Sequence, residues 1–472
     1  MRLRFVIRAG VAAIAMLAGA ASASAETLAD TFILAYRHSG LLEKNRAVLR
    51  AADEDVATAI AQLRPILNYT VQAQQSYTNP SGGNSARQID LGAAGGGNFG
   101  ASASASAGIS ANLLLYDGGA TRLGIDVAKE TVLAVRQGLI QVEQQVLYNA
   151  VIAYLAVREA TAFINLRLSN VELLQEQLRA GRERFEVGEV TRTDVALAEA
   201  QLASAQSQLA AARGDLQVAI STYVQVVGQE PGTLQPIGNY PQTASSLEAA
   251  QNIARKNHPN ILQDMRAITI AELNVLRAEA QMRPSISGTA SLSVDDDFTE
   301  TGSFGLQLSG PIYQGGALTA AYRQAVARRD ESRADLHITV DAILQEVAQA
   351  WSNQQVALAS IEAGQLEVRA AQVAFEGLQE EVSLGARTTL DVLDSEQDLQ
   401  DARAALISAQ IAEFRAAYTL LYTMGLLTVE HLGLGITTYD PSAYYNAVKD
   451  APIRRVSPQG EKLDRIIQSL GR

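Results

Sequence analysis

The chain contains one internal duplication. The segment YDGGA at residues 116–120 recurs as YQGGA at residues 313–317, an offset of 197 residues (313 − 116). The same offset relates further residues of the two halves: Gly188 and Gly385, Asp194 and Asp391, Glu199 and Glu396, Leu202 and Leu399, Gly228 and Gly425. Because the register holds to the end of each half, the two halves are expected to fold alike.

A second offset applies before these turns. Arg64-Pro65 recurs as Arg283-Pro284, 219 residues further on (283 − 64). The first half therefore has 22 additional residues (219 − 197), which fall in a stretch rich in Gly, Ser and Asn that includes residues 79–84 and 92–100. A period near 200 residues is too long for a solenoid repeat, so the pattern predicts a duplicated half-molecule.

An export signal precedes the first half. Arg2, Arg4 and Arg8 are followed by an apolar run at residues 9–19 and by small residues that end at Ala25, which predicts a cleaved signal peptide and a mature chain that starts at Glu26. Removing three arginines takes the formal charge from −12 to −15, and such an acidic chain argues against nucleic acid as a partner. The chain has no cysteine, which excludes disulfides, thiolate metal sites and an N-terminal lipid anchor.

The repeat divides the chain into five parts. We expect a signal peptide at 1–25, a first repeat at 26–228, a linker at 229–245, a second repeat at 246–428 and a partly disordered C-terminal tail at 429–472. Each repeat is predicted to contain a helix, a strand hairpin, a long helix and a return helix, with the hairpins at 66–115 and 285–312.

The hairpin segments alternate apolar residues with small, neutral polar residues, as a strand with one apolar face does. A soluble β-sandwich gives the same alternation in a single strand. Here all four strands show it, and each reaches the roughly 9–11 residues that a tilted membrane strand needs. No run of about 18 apolar residues follows the signal, so we expect strands to span the membrane. Four strands cannot close a barrel, so the chain must oligomerise.

Two segments predict very long helices. Residues 120–185 and 317–382 contain no proline and have helical spacing, and about 66 residues would extend roughly 100 Å. Return helices follow to residues 228 and 425, and shorter helices are expected at 28–62 and 247–281. An ordinary coiled coil would look similar. These helices, however, join the hairpins directly at predicted helix–strand junctions, which are Pro65, Pro284, Gly118, Gly119, Gly315 and Gly316.

These features together resemble the TolC-like outer-membrane efflux proteins. The specific matches are GPIYQGG at 310–316 and SLGART at 383–388 running into DVLD at 391–394, within a duplicated plan that covers about residues 28–428. The resemblance implies a mainly α fold with membrane β, in which a homotrimer forms a 12-stranded β-barrel continuous with an α-helical barrel. It implies a location in the outer membrane of a Gram-negative bacterium, with a long periplasmic part.

The resemblance also implies a function and partners. Members of the family form the exit duct of a tripartite machine for secreted proteins or drugs. Their partners are a periplasmic adaptor protein, an inner-membrane ABC, RND or MFS transporter, and outer-membrane lipid.

Matched residue by residue, the family motif places Asp391 and Asp394 in a periplasmic constriction. It also places Arg387 in a closed-state tether to Thr193 and Asp194 of the first repeat. The chain departs from the family's best-known member at Val382, where that protein has a tyrosine, so one tether of the closed state is expected to be missing.

The duplication separates two explanations for the aspartates. Thr191 with Asp194 and Thr388 with Asp391 are equivalent helix-capping pairs, so capping accounts for Asp391. The residue 197 positions before Asp394 is Leu197, so helix initiation does not require Asp394. In a trimer the pair supplies six carboxylates, and we expect a cation-sensitive constriction in which some aspartates have a raised pKa.

Two other function classes remain for comparison. A periplasmic adaptor or structural coiled-coil protein would share the long helices but not two duplicated strand pairs. A periplasmic enzyme has no support, because the sequence shows no Ser/His/Asp arrangement and its four histidines lack ligand spacing. We therefore expect no catalytic residue, no cofactor and no metal site.

Overall fold

The computed structural model describes residues 26–78, 100–238, 240–241, 244–384, 386–450 and 465. The predicted signal peptide, the Gly-rich insertion at 79–99 and most of the tail beyond residue 450 lie outside these residues. The helices of the described part are α1 (Leu28–His38), α2 (Gly40–Ala61), α3 (Ala120–Glu186), α4 (Arg192–Val227), α5 (Leu247–Asn257), α6 (Pro259–Ala280), α7 (Ala317–Ser383), α8 (Thr389–Thr423) and α9 (Pro441–Val448). The strands are β1 (Ile66–Thr78), β2 (Gly100–Tyr116), β3 (Ser285–Asp295) and β4 (Glu300–Ser309).

The duplicated plan is confirmed, with one difference at the start of each half. The sequence predicts a single helix at 28–62 and another at 247–281, and the structure has two helices in each place. Ser39 leaves the helical conformation, and its hydroxyl accepts a hydrogen bond from the Leu42 backbone N–H at 3.2 Å, which starts α2. Pro259 occupies the first turn of α6, a position that suits proline because the N–H it lacks has no partner there.

The four strands form one antiparallel sheet in the order β1-β2-β3-β4. The register is regular from Ile66 opposite Asn112 onward, and β2 and β3 slip by one residue between Leu114 and Tyr116. The sequence predicts that the last strand extends to Ile312, but β4 ends at Ser309. Gly310 and Pro311 follow, and proline has no backbone N–H to donate to a strand ladder.

The sheet exposes large apolar side chains that the chain does not cover. Tyr69 is 83% exposed and Phe304 is 79% exposed, and the others follow the same alternation: Leu67, Val71, Leu306 and Leu308. Small hydroxyl groups pair across the neighbouring strands, as in Ser291 with Ser303 at 2.8 Å. An apolar surface of this extent marks contact with lipid or protein.

The long helices pair into two antiparallel hairpins, α3 with α4 and α7 with α8. Both hairpins contribute to one core about halfway along α3 and α7, where Leu147 and Tyr154 of α3 meet Tyr223, near the end of α4, and Leu420, near the end of α8. Helix α3 contains a stretch apolar enough to cross a membrane by length and composition, but 44% of that stretch is buried in the protein.

The linker between the repeats is hydrogen-bonded to the beginning of the first repeat. The backbone N–H of Glu26 donates to the Thr233 carbonyl at 3.0 Å, and the Glu26 carboxylate accepts hydrogen bonds from the Tyr223 hydroxyl at 2.6 Å and the Gly232 N–H at 3.1 Å. The Tyr154 hydroxyl donates to the Gln235 carbonyl at 2.6 Å. The linker is thus part of the central core.

The described part of the tail packs beside α2 and α3. The Tyr444 hydroxyl donates to the Glu54 carboxylate at 2.8 Å, and the Arg136 guanidinium donates to the Pro441 carbonyl at 3.2 Å. The tail thus packs first against the central core, through Val429 and Leu432, and then against the first repeat, through Tyr439 and Tyr445.

In the turn after α8, the stability of the protein is expected to be sensitive to the addition of a Cβ at Gly425. Its φ is +75°, and a Cβ there would lie 2.8 Å from the Cα of His258 and 2.9 Å from the Asn257 carbonyl oxygen. We expect Gly425→Ala to destabilise the protein by more than the ~1–2 kcal/mol that the left-handed conformation alone costs, because these backbone atoms cannot rotate away. Urea unfolding followed by circular dichroism measures the loss.

Gly433→Ala is the matched control. Gly433 also has a positive φ, of +62°, but a Cβ there meets nothing within 4 Å. Equal unfolding midpoints for the two variants would contradict the role assigned to the contact with the turn between α5 and α6.

Candidate functional site

The two hairpin tips begin their return helices with the same capping box. In the second repeat the Asp391 carboxylate accepts hydrogen bonds from the backbone N–H of Thr388 at 3.0 Å and from its hydroxyl at 2.9 Å, while the Thr388 hydroxyl oxygen accepts from the Asp391 N–H at 3.3 Å. Thr191 and Asp194 make the equivalent contacts at 2.9, 2.7 and 3.3 Å. Both boxes satisfy backbone donors that have no partner within the helix.

The cap sets the charge state of Asp391. The backbone N–H of Thr388, and then its hydroxyl, stabilise the carboxylate and hold the pKa of Asp391 below its usual value. Raised pKa values are expected for some aspartates of the assembled ring, and that expectation stays a prediction. Asp394 lies further along α8, is exposed, and takes no part in the capping box.

Arg387 and its expected tether partners are not brought together within one chain. The Nε of Arg387 lies 3.1 Å from the Oε2 of Glu381, and both side chains are about half exposed. Thr193 is exposed, and the carboxylate of Asp194 is engaged by its own cap. Sequence reasoning missed Glu381, although a glutamate just before a tight turn that carries an arginine is a visible signal.

Val382 packs inward. It lies against an apolar cluster of Phe375, Val392 and Leu399, which joins α7 to α8 just above the tip. At this position the chain has an apolar contact within the hairpin where a tyrosine would offer a hydroxyl.

A carboxyl group that the sequence motifs do not single out lies beside this cluster. Glu396 of α8 is only 2% exposed, and burial raises its pKa to about 7. Its repeat equivalent, Glu199, is exposed and lies 2.6 Å from Arg182. The duplication carried a usable signal, because the position equivalent to Arg182 is Gln379, which cannot neutralise a glutamate.

The helix–strand junctions rely on glycines with a positive φ, and at Gly118 also on a close backbone contact. Gly118 has a φ of +69°, and a Cβ there would lie 2.6 Å from the Ala280 carbonyl oxygen. The guanidinium of Arg283 donates to the Gly118 carbonyl at 3.3 Å. The first junction therefore contacts the residues that precede Pro284. The other junction glycines also have a positive φ: Gly119, Gly315 and Gly316. Pro65 and Pro284 directly precede β1 and β3.

The histidines and acids of the described residues do not form a metal-binding group of three or more. The Nδ1 of His258 accepts a hydrogen bond from the Asn260 N–H at 3.2 Å, which caps α6, and burial lowers the pKa of His258 to about 4. This histidine is therefore neutral and structural at physiological pH.

These features define a class of protein. A small sheet with an uncovered apolar face joins, through glycine turns, two helices of 67 residues each, whose far ends carry capped acidic turns. This is the architecture of a membrane channel with a long helical extension.

The sequence model of the family described as "Outer membrane efflux protein" matches residues 34–229 and 250–425, which is most of both repeats. The chain is 36% identical to the outer membrane efflux protein BepC of Brucella suis, over 95% of this chain and 97% of that one. It is 28% identical to the alkaline protease secretion protein AprF of Pseudomonas aeruginosa, over 62% and 63% of the two chains. Its fold matches that of the outer membrane protein VceC of Vibrio cholerae with a TM-score of 0.70 at 20% identity, covering 84% of this chain and 96% of that one.

The chain belongs to the outer membrane efflux protein family. It is an outer-membrane channel for efflux or secretion, as its sequence predicted, and the periplasmic adaptor and coiled-coil alternatives are set aside.

The cap at the second tip gives a direct prediction. Thr388→Ala removes the hydroxyl that bridges the Asp391 N–H and carboxylate, and losing such a cap costs about 0.5–2 kcal/mol. We expect faster amide hydrogen exchange at residues 389–391. Asp394→Asn should leave that exchange unchanged, and faster exchange in this variant would show that Asp394 also supports the helix start.

Proposed function

We propose that three copies of this chain form a passive exit duct, gated at its periplasmic end by a ring of Asp391 and Asp394. One chain supplies four strands with open edges at β1 and β4, and the smallest outer-membrane barrels need about eight strands. An open edge is not tolerated in lipid, so closure by copies of the same sheet satisfies the backbone. Outer-membrane lipid then covers the apolar face.

The helices give the duct its length. A helix of 67 residues extends about 100 Å at 1.5 Å per residue, so the tips lie far from the membrane. We propose that a periplasmic adaptor and an inner-membrane ABC, RND or MFS transporter deliver cargo at this end. The duct itself has no catalytic role and requires no cofactor in this proposal.

The gate rests on the unequal chemistry of the two tips. Both have the capping aspartate, but only the second adds Asp394, where the first has Leu197 at 37% exposure. A carboxylate that the cap does not use, repeated about one axis, concentrates negative charge. Like charges several ångströms apart repel by a few kcal/mol at an effective dielectric near ~20, so water and cations must accompany the ring.

Two cargo classes fit this duct. AprF is named for secretion of a protease and BepC for efflux, so the relatives include both kinds of export. Comparing the secreted proteins and the drug susceptibility of a deletion strain assigns the cargo.

The aspartate ring is tested by the double variant Asp391→Ala/Asp394→Ala. Removing the carboxylates should raise single-channel conductance in planar bilayers and weaken block by multivalent cations. Asp215→Ala is the control, since it removes an exposed acid of α4 far from the tip. Unchanged conductance and unchanged cation block in the double variant would contradict the proposed gate.

The tether is tested by Arg387→Ser. Losing the guanidinium removes the contact with Glu381 and any contact with Thr193 and Asp194 made in the trimer, so we expect an open tip with higher conductance and antibiotic leakage into cells. Arg179→Ser is the control, because Arg179 also forms an exposed ion pair, with Glu176 at 2.5 Å. Wild-type conductance and leakage in Arg387→Ser would count against the tether.

A further inference from the structure

Glu396 is a buried carboxyl group without a hydrogen-bond partner. Neither of its oxygens makes a hydrogen bond to a residue that the structure describes, and the Nε2 of Gln177 and the Oε1 of Gln400 are likewise unsatisfied. The Gln177 amide is near enough to oppose the rise in the pKa of Glu396, but burial dominates. A charged carboxylate in this place is costly, whereas a protonated one can donate to a neighbouring amide oxygen.

The position of Glu396 joins the two hairpins. Its neighbour Leu393 packs in a cluster with Val171 and Leu174 of α3 and with Ala205 of α4. On the other side, Leu399 packs against Phe375 of α7. Separating α8 from α3 would therefore bring water to Glu396.

Several cations on the surrounding helices have partners other than Glu396. Arg182 of α3 pairs with Glu199 of α4 at 2.6 Å, and Arg403 of α8 donates to the Gln372 amide oxygen of α7 at 2.6 Å. Two further ion pairs lie within one element or turn: Arg179 with Glu176 and Arg387 with Glu381. Burial and the Gln177 amide alone shift the pKa of Glu396.

We propose that Glu396 is a proton-binding site that holds the second hairpin against the first, so that loss of the proton loosens the periplasmic tip. This inference rests on the proposed gate and adds a chemical signal to it. The ligand is the proton, and the responding element is the contact between α8 and α3.

The direction of the effect follows from the two environments. Packed, the group has a pKa of about 7; exposed to water, it returns to 4.5. Between these values the packed form keeps its proton and the exposed form does not, so each pH unit favours the loosened form by up to about tenfold per chain. Below 4.5 both forms are protonated and above about 7 both are ionised, so no further change is expected outside this range.

The experiment measures the open probability of the purified full-length channel in planar bilayers between pH 4.5 and pH 8. The wild-type open probability should rise up to about pH 7 and then level off. Glu396→Gln, which stays neutral, should remain at the low-pH level throughout. Glu199→Gln is the matched control, because it changes the exposed, ion-paired equivalent, and it should keep the rise.

A second control addresses another group that titrates in this range. Burial raises the pKa of Asp53 to about 6, but Asp53 follows Ala52 of α2, which packs in a cluster with Val132 of α3, about 65 Å along that helix from Gln177. Asp53→Asn should therefore also keep the rise. Loss of the rise in this variant, or its survival in Glu396→Gln, would overturn the inference.

Gln177→Leu keeps the test decisive if Glu396→Gln does not assemble. The amide of Gln177 lowers the pKa of Glu396, so its removal should move the end of the rise above pH 7. An unmoved rise contradicts the inference. Wild-type channels that form but show no pH dependence overturn only the role of Glu396. Failure of the wild type and of every variant to form channels overturns the duct itself.

Discussion

The backbone hydrogen bonds of the sheet edges govern the rest of this structure. Strands β1 and β4 each leave one row of N–H and C=O groups without a partner in the sheet, next to a face of exposed apolar side chains. Lipid cannot satisfy those groups, and water cannot cover that face cheaply. In the proposed duct, copies of the same sheet complete these edges. The helices that follow each hairpin would then run side by side around one axis, which suits helices that are long and free of proline.

Much of this fold could be predicted from the sequence because it depends on local patterns. Alternation identified all four strands, and the absence of proline gave the bounds of α3 and α7 to within a residue or two. The breaks at Ser39 and His258 were missed, since each depends on one residue leaving the helical conformation inside an otherwise helical stretch. The early end of β4 was missed as well, although Pro311 indicated it.

The candidate site was less predictable. The capping partners of Asp391 could be read from spacing alone, since a capping box lies within four residues. The pairing of Arg387 with Glu381 depends on how the tip turns, and the burial of Glu396 depends on α3, more than 200 residues away in the chain. The duplication would have helped to find Glu396, because it shows that the second half has Gln379 where the first half has the positive charge of Arg182. Comparing the two repeats thus shows which residues differ between them, and the structure shows what those residues contact.

In the proposed trimer, the unequal halves would determine the symmetry of the tunnel. Six hairpins would surround its axis, three with the Arg182–Glu199 pair and three with Glu396, whose oxygens have no hydrogen-bond partner among the described residues. Such a ring has threefold symmetry, with two kinds of hairpin in alternation. The ion-paired hairpins could then stay in place while their neighbours move, so that the opening would change diameter without loss of the ion pairs.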